Sequence, residues 1–360
     1  VSTTEKMQRP PAELRWAQDL ERLRADDTAP RPPGWALSVD AAKRFIVGDT
    51  ELGIANKFVG DASLVDRALV SLATTRGLLL TGEPGTAKSL LSELLSAAIS
   101  GDSTLTIQGG AATTEDQIRY GWNYALLVSE GPSERSIVPA PMMRGMRDGK
   151  IVRFEEITRC PLEVQDSILS LLSDRALAVP ELGEMVYATA GFNVIATANT
   201  RDRGVHDMSA ALKRRFNFET VFPISDFTAE LALVEAEAQA LLRKSGVPQA
   251  PPRDVLEVLV TAFRELRTGA TESGAALDRM SSVMSTAEAV SVAHAVGLRG
   301  WYLRGEPGDG ADIVHCLAGT AAKDDPDDLA RLRRYLEQQV PRKSGRAWKA
   351  LHDARFQLPG

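Results

Sequence analysis

Cysteine is almost missing from this chain: among 360 residues there are only Cys160 and Cys316. They stand far apart with no C-x-x-C spacing, which argues against a disulfide framework or a thiolate metal site and fits a reducing, cytoplasmic setting. Long apolar runs are missing too. No stretch approaches the roughly eighteen uninterrupted apolar residues of a membrane span, and the first thirty residues carry charges and prolines where a secretory segment needs an apolar core. Neither a span nor a signal peptide is expected. There is no excess of basic charge, since 42 Lys and Arg face 48 Asp and Glu for a net −6. Nucleic acid is therefore not an expected partner, although a local basic patch is not excluded. No tandem repeat of fixed period occurs. What is present, 44% apolar and 25% charged residues, is the make-up of a soluble globular chain long enough for two domains.

The periodicities divide the chain. An amphipathic run from Ala12 to Arg24 breaks at Pro30, Pro32 and Pro33, so residues 1–38 read as an extension with one helix. From Leu64 to Ala73 the spacing is helical, and Gly77-Leu78-Leu79-Leu80 reads as a buried strand entering a glycine-containing loop. Leu90, Leu91, Leu94, Leu95, Ala98 and Ile99 then fall on one helical face. Further strands are predicted at Leu105 to Ile107, Ile151 to Phe154, Phe192 to Ala196 and Phe218 to Phe222, with helical segments between most of them, one of them at Pro161 to Asp174. That alternation predicts an α/β core over residues 39–225 with a parallel sheet. Beyond Pro223 only helical patterns remain, at Ala229 to Lys244, Arg253 to Arg267, Met284 to Val296 and Asp327 to Val340, so residues 226–360 are expected to be all-α.

Four strings carry chemistry. In Gly82-Glu83-Pro84-Gly85-Thr86-Ala87-Lys88-Ser89, successive backbone N–H groups can point at phosphate oxygens while the next helix offers its positive end. Lys88 would reach the outer phosphates and Ser89 would hold magnesium. Ala87 stands where the general pattern has glycine, and the bland alternative is a glycine-rich turn that happens to contain lysine. Second, Ile151-Val152-Arg153-Phe154 ends in Glu155 and Glu156. The first acid of such a pair binds magnesium and the second activates water; alone, the pair also suits a solvated strand end. Glutamate at 155 replaces the usual aspartate and displaces the carboxylate by a methylene. Third, the string Phe192 to Thr200 carries Asn199 just beyond a strand, placed to touch a γ-phosphate or else an ordinary turn former. Fourth, Lys213, Arg214 and Arg215 close a helix-like run, where cations stabilise by only about 0.3–1 kcal/mol.

In order and spacing, GEPGTAKS, RFEEITRCPLEVQDSILSLLSDR, NVIATANT and ALKRRF resemble the MoxR family of AAA+ ATPases over about residues 50 to 300. Ala87 fits that family's own loop, and the overall impression is of the branch associated with von Willebrand factor A domain proteins. The resemblance implies a P-loop αβα sandwich with sheet order 5-1-4-3-2. It also implies a helix-containing insertion before the Walker B strand, for which residues 109–150 leave room, and an all-α lid. It implies Glu156 as the Walker B base, Glu155 and Ser89 at magnesium, and Asn199 as sensor 1. Arg215 is implied as the arginine finger, with Arg214 a close competitor. Arg279, at the start of a lid helix, matches sensor 2 or is simply an exposed arginine. The resemblance further implies ATP held by Gly82 through Ser89 and Leu90, with Val59 and Gly60 beside adenine, and a homo-oligomeric, hexameric ring remodelling a protein client. Two functions of other classes compete: a nucleotide-gated scaffold with negligible turnover, motivated by Glu155, and a DNA-dependent motor, against which the acidic balance speaks.

Overall fold

The computed structural model describes residues 7–199, 208–321, 323 and 325–358. Nine strands are present among them: β1 Gly77–Gly82, β2 Thr106–Gln108, β3 Tyr120–Trp122, β4 Ile137–Pro139, β5 Ile151–Glu155, β6 Ala176–Val179, β7 Glu184–Tyr187, β8 Asn193–Asn199 and β9 Phe216–Thr220. Five form one sheet in the order β2-β5-β8-β1-β9, with every pairing parallel. Counting only these five along the chain, the order is 5-1-4-3-2, as expected.

Alternation of side chains along the strands builds two cores. Leu78 and Leu80 of β1, Ile151 of β5 and Ile195 of β8 join one core with the helices Val39–Val47, Ala62–Leu72 and Lys88–Ser100. Leu79, Val152, Phe154, Val194 and Ala196 face the other way, against Met142, Met143 and Met146 of helix Pro141–Asp148. Helices thus cover both faces, as an all-parallel sheet requires.

Several elements differ from expectation. The N-terminal run forms two helices, Ala12–Arg15 and Ala17–Asp26, broken at Trp16 (φ −122°, ψ 35°), and Ala12, Leu20 and Leu23 lie in the first core. The segment Pro161 to Asp174 is two short helices, Leu162–Asp166 and Leu169–Ser173. Between them Ser167 Oγ bonds the Val164 carbonyl and Ile168 N reaches only Gln165 O, at 3.4 Å, so local competition tightens and ends the first helix. Residues between β2 and β5 hold three helices, Glu115–Ile118, Tyr124–Glu130 and Pro141–Asp148, and the antiparallel pair β3–β4. A second hairpin, β6–β7, was not anticipated.

The chain divides into two compact units. One holds Gly82 and the described residues before it together with Ala87–Phe222; the other holds Glu83–Thr86 and the described residues from Pro223 on. Six helices make up the latter: Phe227–Lys244, Arg253–Thr268, Thr286–Arg304, Gly310–Ala321, Pro326–Gln338 and Arg346–Asp353. They enclose a core including Phe263, Leu266, Ile313, Leu317, Leu336 and Leu351. Glu230, fully buried there, is paired with Arg264 at 2.8 Å and Arg267 at 3.0 Å. No described helix is long and apolar enough to cross a membrane.

Candidate functional site

Three neighbouring parallel strands end at the same edge of the sheet, where ligands bind in open α/β sheets. Gly82 at the end of β1 is the cross-strand partner of Asn199 at the end of β8, and Glu155 ends β5 on the other side of β8. The loop from Gly82 to Ser89, the two acids and Asn199 are thereby gathered along one edge.

The loop has the backbone its sequence implies. Gly82 and Gly85 have positive φ, 152° and 76°. So does Ala87, at φ 66° and ψ 23°, immediately before helix Lys88–Ser100. A non-glycine residue in that region costs about 1–2 kcal/mol, so Ala87 holds strain where glycine would hold none. Lys88 is buried, and its Nζ donates to the Gly82 carbonyl at 3.1 Å, folding the side chain back over the loop. Ser89 and Leu90 follow in the first turn, Ser89 exposed and Leu90 half-buried. A loop of this form, with a lysine inside it and a helix N-terminus behind it, is suited to a phosphate chain.

Glu155 is only 5% exposed and its carboxylate accepts four hydrogen bonds. Ser92 Oγ and Arg153 Nη2 donate to Oε1 at 2.7 and 2.8 Å; Ser89 Oγ and Thr197 Oγ1 donate to Oε2, each at 2.8 Å. A carboxylate has about four lone-pair positions, and all are taken. Burial alone would raise the Glu155 pKa, but the Arg153 charge and the hydroxyl bonds outweigh it and the net displacement is downward. Arg153 and Glu155 are two apart on one strand, so both face helix Lys88–Ser100. The pairing accounts for an arginine inside a core strand.

Glu156, the next residue, takes left-handed backbone angles (φ 54°, ψ 44°). Its amide donates to Thr197 Oγ1 at 2.9 Å, and its carboxylate meets Arg159 at 2.9 Å. Gly109, at the end of β2, is packed so closely that a Cβ there would lie 2.4 Å from the Glu156 carbonyl oxygen. Only glycine allows that approach. Ser92, Arg153, Arg159, Thr197 and Gly109 were not singled out as site residues from sequence; the i, i+2 spacing of Arg153 and Glu155 was the one available signal.

The other expected residues lie apart. Arg215 directly precedes β9, its carbonyl accepts from Gly77 N at 2.9 Å, and its Nε donates to Ser173 Oγ at 2.6 Å. Gly77 begins β1 and Gly82 ends it, so Arg215 stands at the opposite edge of the sheet, about 17 Å from the loop at 3.3 Å per residue. Arg214, its competitor, is exposed at the C-terminus of helix Ala210–Lys213. Val59 is half-buried and Gly60 exposed, just before helix Ala62–Leu72. Arg279 is a correction: it does not begin a helix but is exposed in a connection, seven residues before Thr286–Arg304 starts. The glycine turn after Arg253–Thr268 and the capping box at Ser285 place the helix start later.

Ser89 and Glu155 are the residues that would hold a magnesium ion. Two adjacent oxygen donors, one of them on an exposed side chain, suit a hard cation. The Arg153 pairing already offsets much of the charge that Glu155 could offer.

Known proteins agree with this architecture. Residues 77–216 match the AAA domain of the dynein-related subfamily, and residues 228–359 match the YehL-like AAA+ ATPase C-terminal domain. The uncharacterized protein YehL of Escherichia coli (strain K12) is 60% identical over 356 residues, 98% of either chain. The uncharacterized protein SH1500 of Staphylococcus haemolyticus is 29% identical over 165 residues, 45% of this chain and 62% of that one. A crystal structure of NtrX from Brucella abortus matches in fold with a TM-score of 0.51 at 14% identity, over 84% of this chain and 69% of that one. Two domain matches in series, together with near full-length identity to YehL, carry the assignment: this chain belongs to the YehL-like AAA+ ATPases.

Proposed function

We infer that the protein binds ATP with magnesium at the edge formed by β1, β5 and β8 and hydrolyses it to remodel a protein client. The single observation that carries this is the convergence there of the Gly82–Ser89 loop, Glu155, Glu156 and Asn199. Lys88 and the loop amides bind the phosphates. A bound magnesium would supply charge neutralisation there, held by Ser89 and Glu155. Glu156 takes the proton of the attacking water once its carboxylate turns from Arg159, and Asn199 orients that water.

Arg215, or Arg214 beside it, would complete a neighbouring subunit's site. The position of Arg215 at the far edge of its own sheet supports a role in trans, and transition-state charge on the γ-phosphate calls for such a cation. A homo-oligomeric ring, hexameric by analogy, follows from that role. The MoxR-like strings support a protein client, with a von Willebrand factor A domain partner as the specific expectation. A reducing cytoplasm suits the two unpaired cysteines.

Glu156→Gln tests the reading. It should retain ATP, release no phosphate and accumulate client on purification; phosphate release equal to wild type would sink the assignment of Glu156. The four-fold occupied Glu155 favours a second reading, a nucleotide-gated switch with negligible turnover. Wild-type phosphate release with magnesium separates the two.

A further inference from the structure

Arg153 is 8% exposed inside β5, on the face packed against helix Lys88–Ser100. Its guanidinium is fully engaged. Nε donates to Ser92 Oγ at 2.9 Å, Nη1 to the Ser103 carbonyl at 3.1 Å, and Nη2 to the Ser89 carbonyl at 3.0 Å and to Glu155 Oε1 at 2.8 Å. Three consequences meet in one side chain. It fixes the Glu155 carboxylate, it ties that acid to the first turn of the helix that carries Lys88 and Ser89, and it places a permanent positive charge beside the nucleotide edge.

We propose that Arg153 is a positioning residue that acts as a built-in counter-cation for Glu155, setting how strongly nucleotide binding depends on magnesium. This rests on the ATP-binding reading above. A buried carboxylate at the end of β5 repels a triphosphate unless a cation stands between or beside them. In most P-loop sites that cation is the metal; here an arginine is already in contact with the acid. Metal-free ATP therefore meets a nearly neutral pair, and the divalent ion adds less than it would beside an unpaired acid. A guanidinium suits the task, because its planar fork serves a carboxylate and two backbone carbonyls at once and it stays charged when buried.

The experiment is calorimetric titration of full-length protein with ATP at pH 8, in excess EDTA and in excess magnesium, reading the ratio of the two dissociation constants. Arg153→Met should raise that ratio about tenfold, because the unpaired acid penalises metal-free ATP most. Glu155→Gln should lower it, and the double variant should return toward wild type. A purely structural role for Arg153 would change both dissociation constants together and leave the ratio alone. A ratio in Arg153→Met within about twofold of wild type overturns the proposal. Should that variant fail to fold, the comparison moves to the Glu155→Gln background, where no buried carboxylate is left unpaired; there too, loss of Arg153 must raise the ratio, and no change overturns the proposal. Wild-type protein that binds ATP in neither buffer would instead bring down the nucleotide reading itself.

Discussion

Thr197 is the perturbation that tests the site's internal wiring most directly. It is 2% exposed in β8, and its hydroxyl both donates to Glu155 Oε2 at 2.8 Å and accepts from the Glu156 amide at 2.9 Å. One side chain thus holds both acids. Thr197→Val swaps the hydroxyl for a methyl at almost constant volume, so packing changes little and the polar contacts are isolated. A hydrogen bond to a charged group contributes about 1.5–3 kcal/mol and a neutral one about 1 kcal/mol, a combined loss of about 2.5–4 kcal/mol. Because Glu156 is half-buried, water can take over part of the amide's bond, which moves the expectation to about 2.5–3 kcal/mol. Hydrogen exchange of peptides from β5 and β8 is the assay, since it reads the sheet separately from the helical unit. Thr197→Ser keeps the hydroxyl and should sit well above the valine variant. Serine and valine variants that differ by less than about 1 kcal/mol would refute the wiring drawn here.

Two further outcomes are expected. The depressed pKa of Glu155 means that the folded state holds its carboxylate ionised below the ordinary value of 4.5. Its contribution is therefore fully present above that pH and is lost as pH falls through the depressed folded value; an acid titration of stability should show a step in wild type that is missing from Glu155→Gln, and identical curves would contradict it. For Arg215, mixing Arg215→Ala with Glu156→Gln under subunit exchange should recover ATPase activity that neither variant has alone, whereas full wild-type activity in a monomeric sample would exclude a shared site.

The sheet was legible because its strands are short apolar runs bounded by loops, while its order came from the family resemblance and not from any local pattern. The loop conformation was legible too, since glycine spacing and a following amphipathic helix leave few alternatives. Arg153 was not. Pairing within one strand needs only two residues, but the donors that complete it, Ser89, Ser92 and Thr197, come from a helix and a strand whose approach no local pattern encodes. The hairpin β6–β7 escaped because four-residue strands such as Ala176–Val179 are shorter than the window in which alternation can be told from chance. Helix Gly310–Ala321 was missed for a different reason: it begins with glycine and carries small residues along much of its length, so its apolar stripe is faint. Arg279 was misplaced because a charged residue near an apolar run looks like a helix start, while the true start is fixed by the Ser285 and Glu288 cap.

The proline-rich stretch that marks a boundary in the sequence marks none in the fold. Only 2% of the Lys57 side chain is exposed, and its ammonium lies 2.8 Å from Asp19, 3.0 Å from the Phe45 carbonyl and 4.6 Å from the Phe45 ring. Leu20 and Leu23 sit beneath the same helices, and burying two such side chains contributes about 3–6 kcal/mol. Trimming the chain back to its proline cluster would at once uncover apolar surface and strip a buried amine of the Asp19 carboxylate that pairs with it. What reads as an extension is part of the core itself, packed against helices Val39–Val47 and Lys88–Ser100, and has to be expressed and crystallised with them.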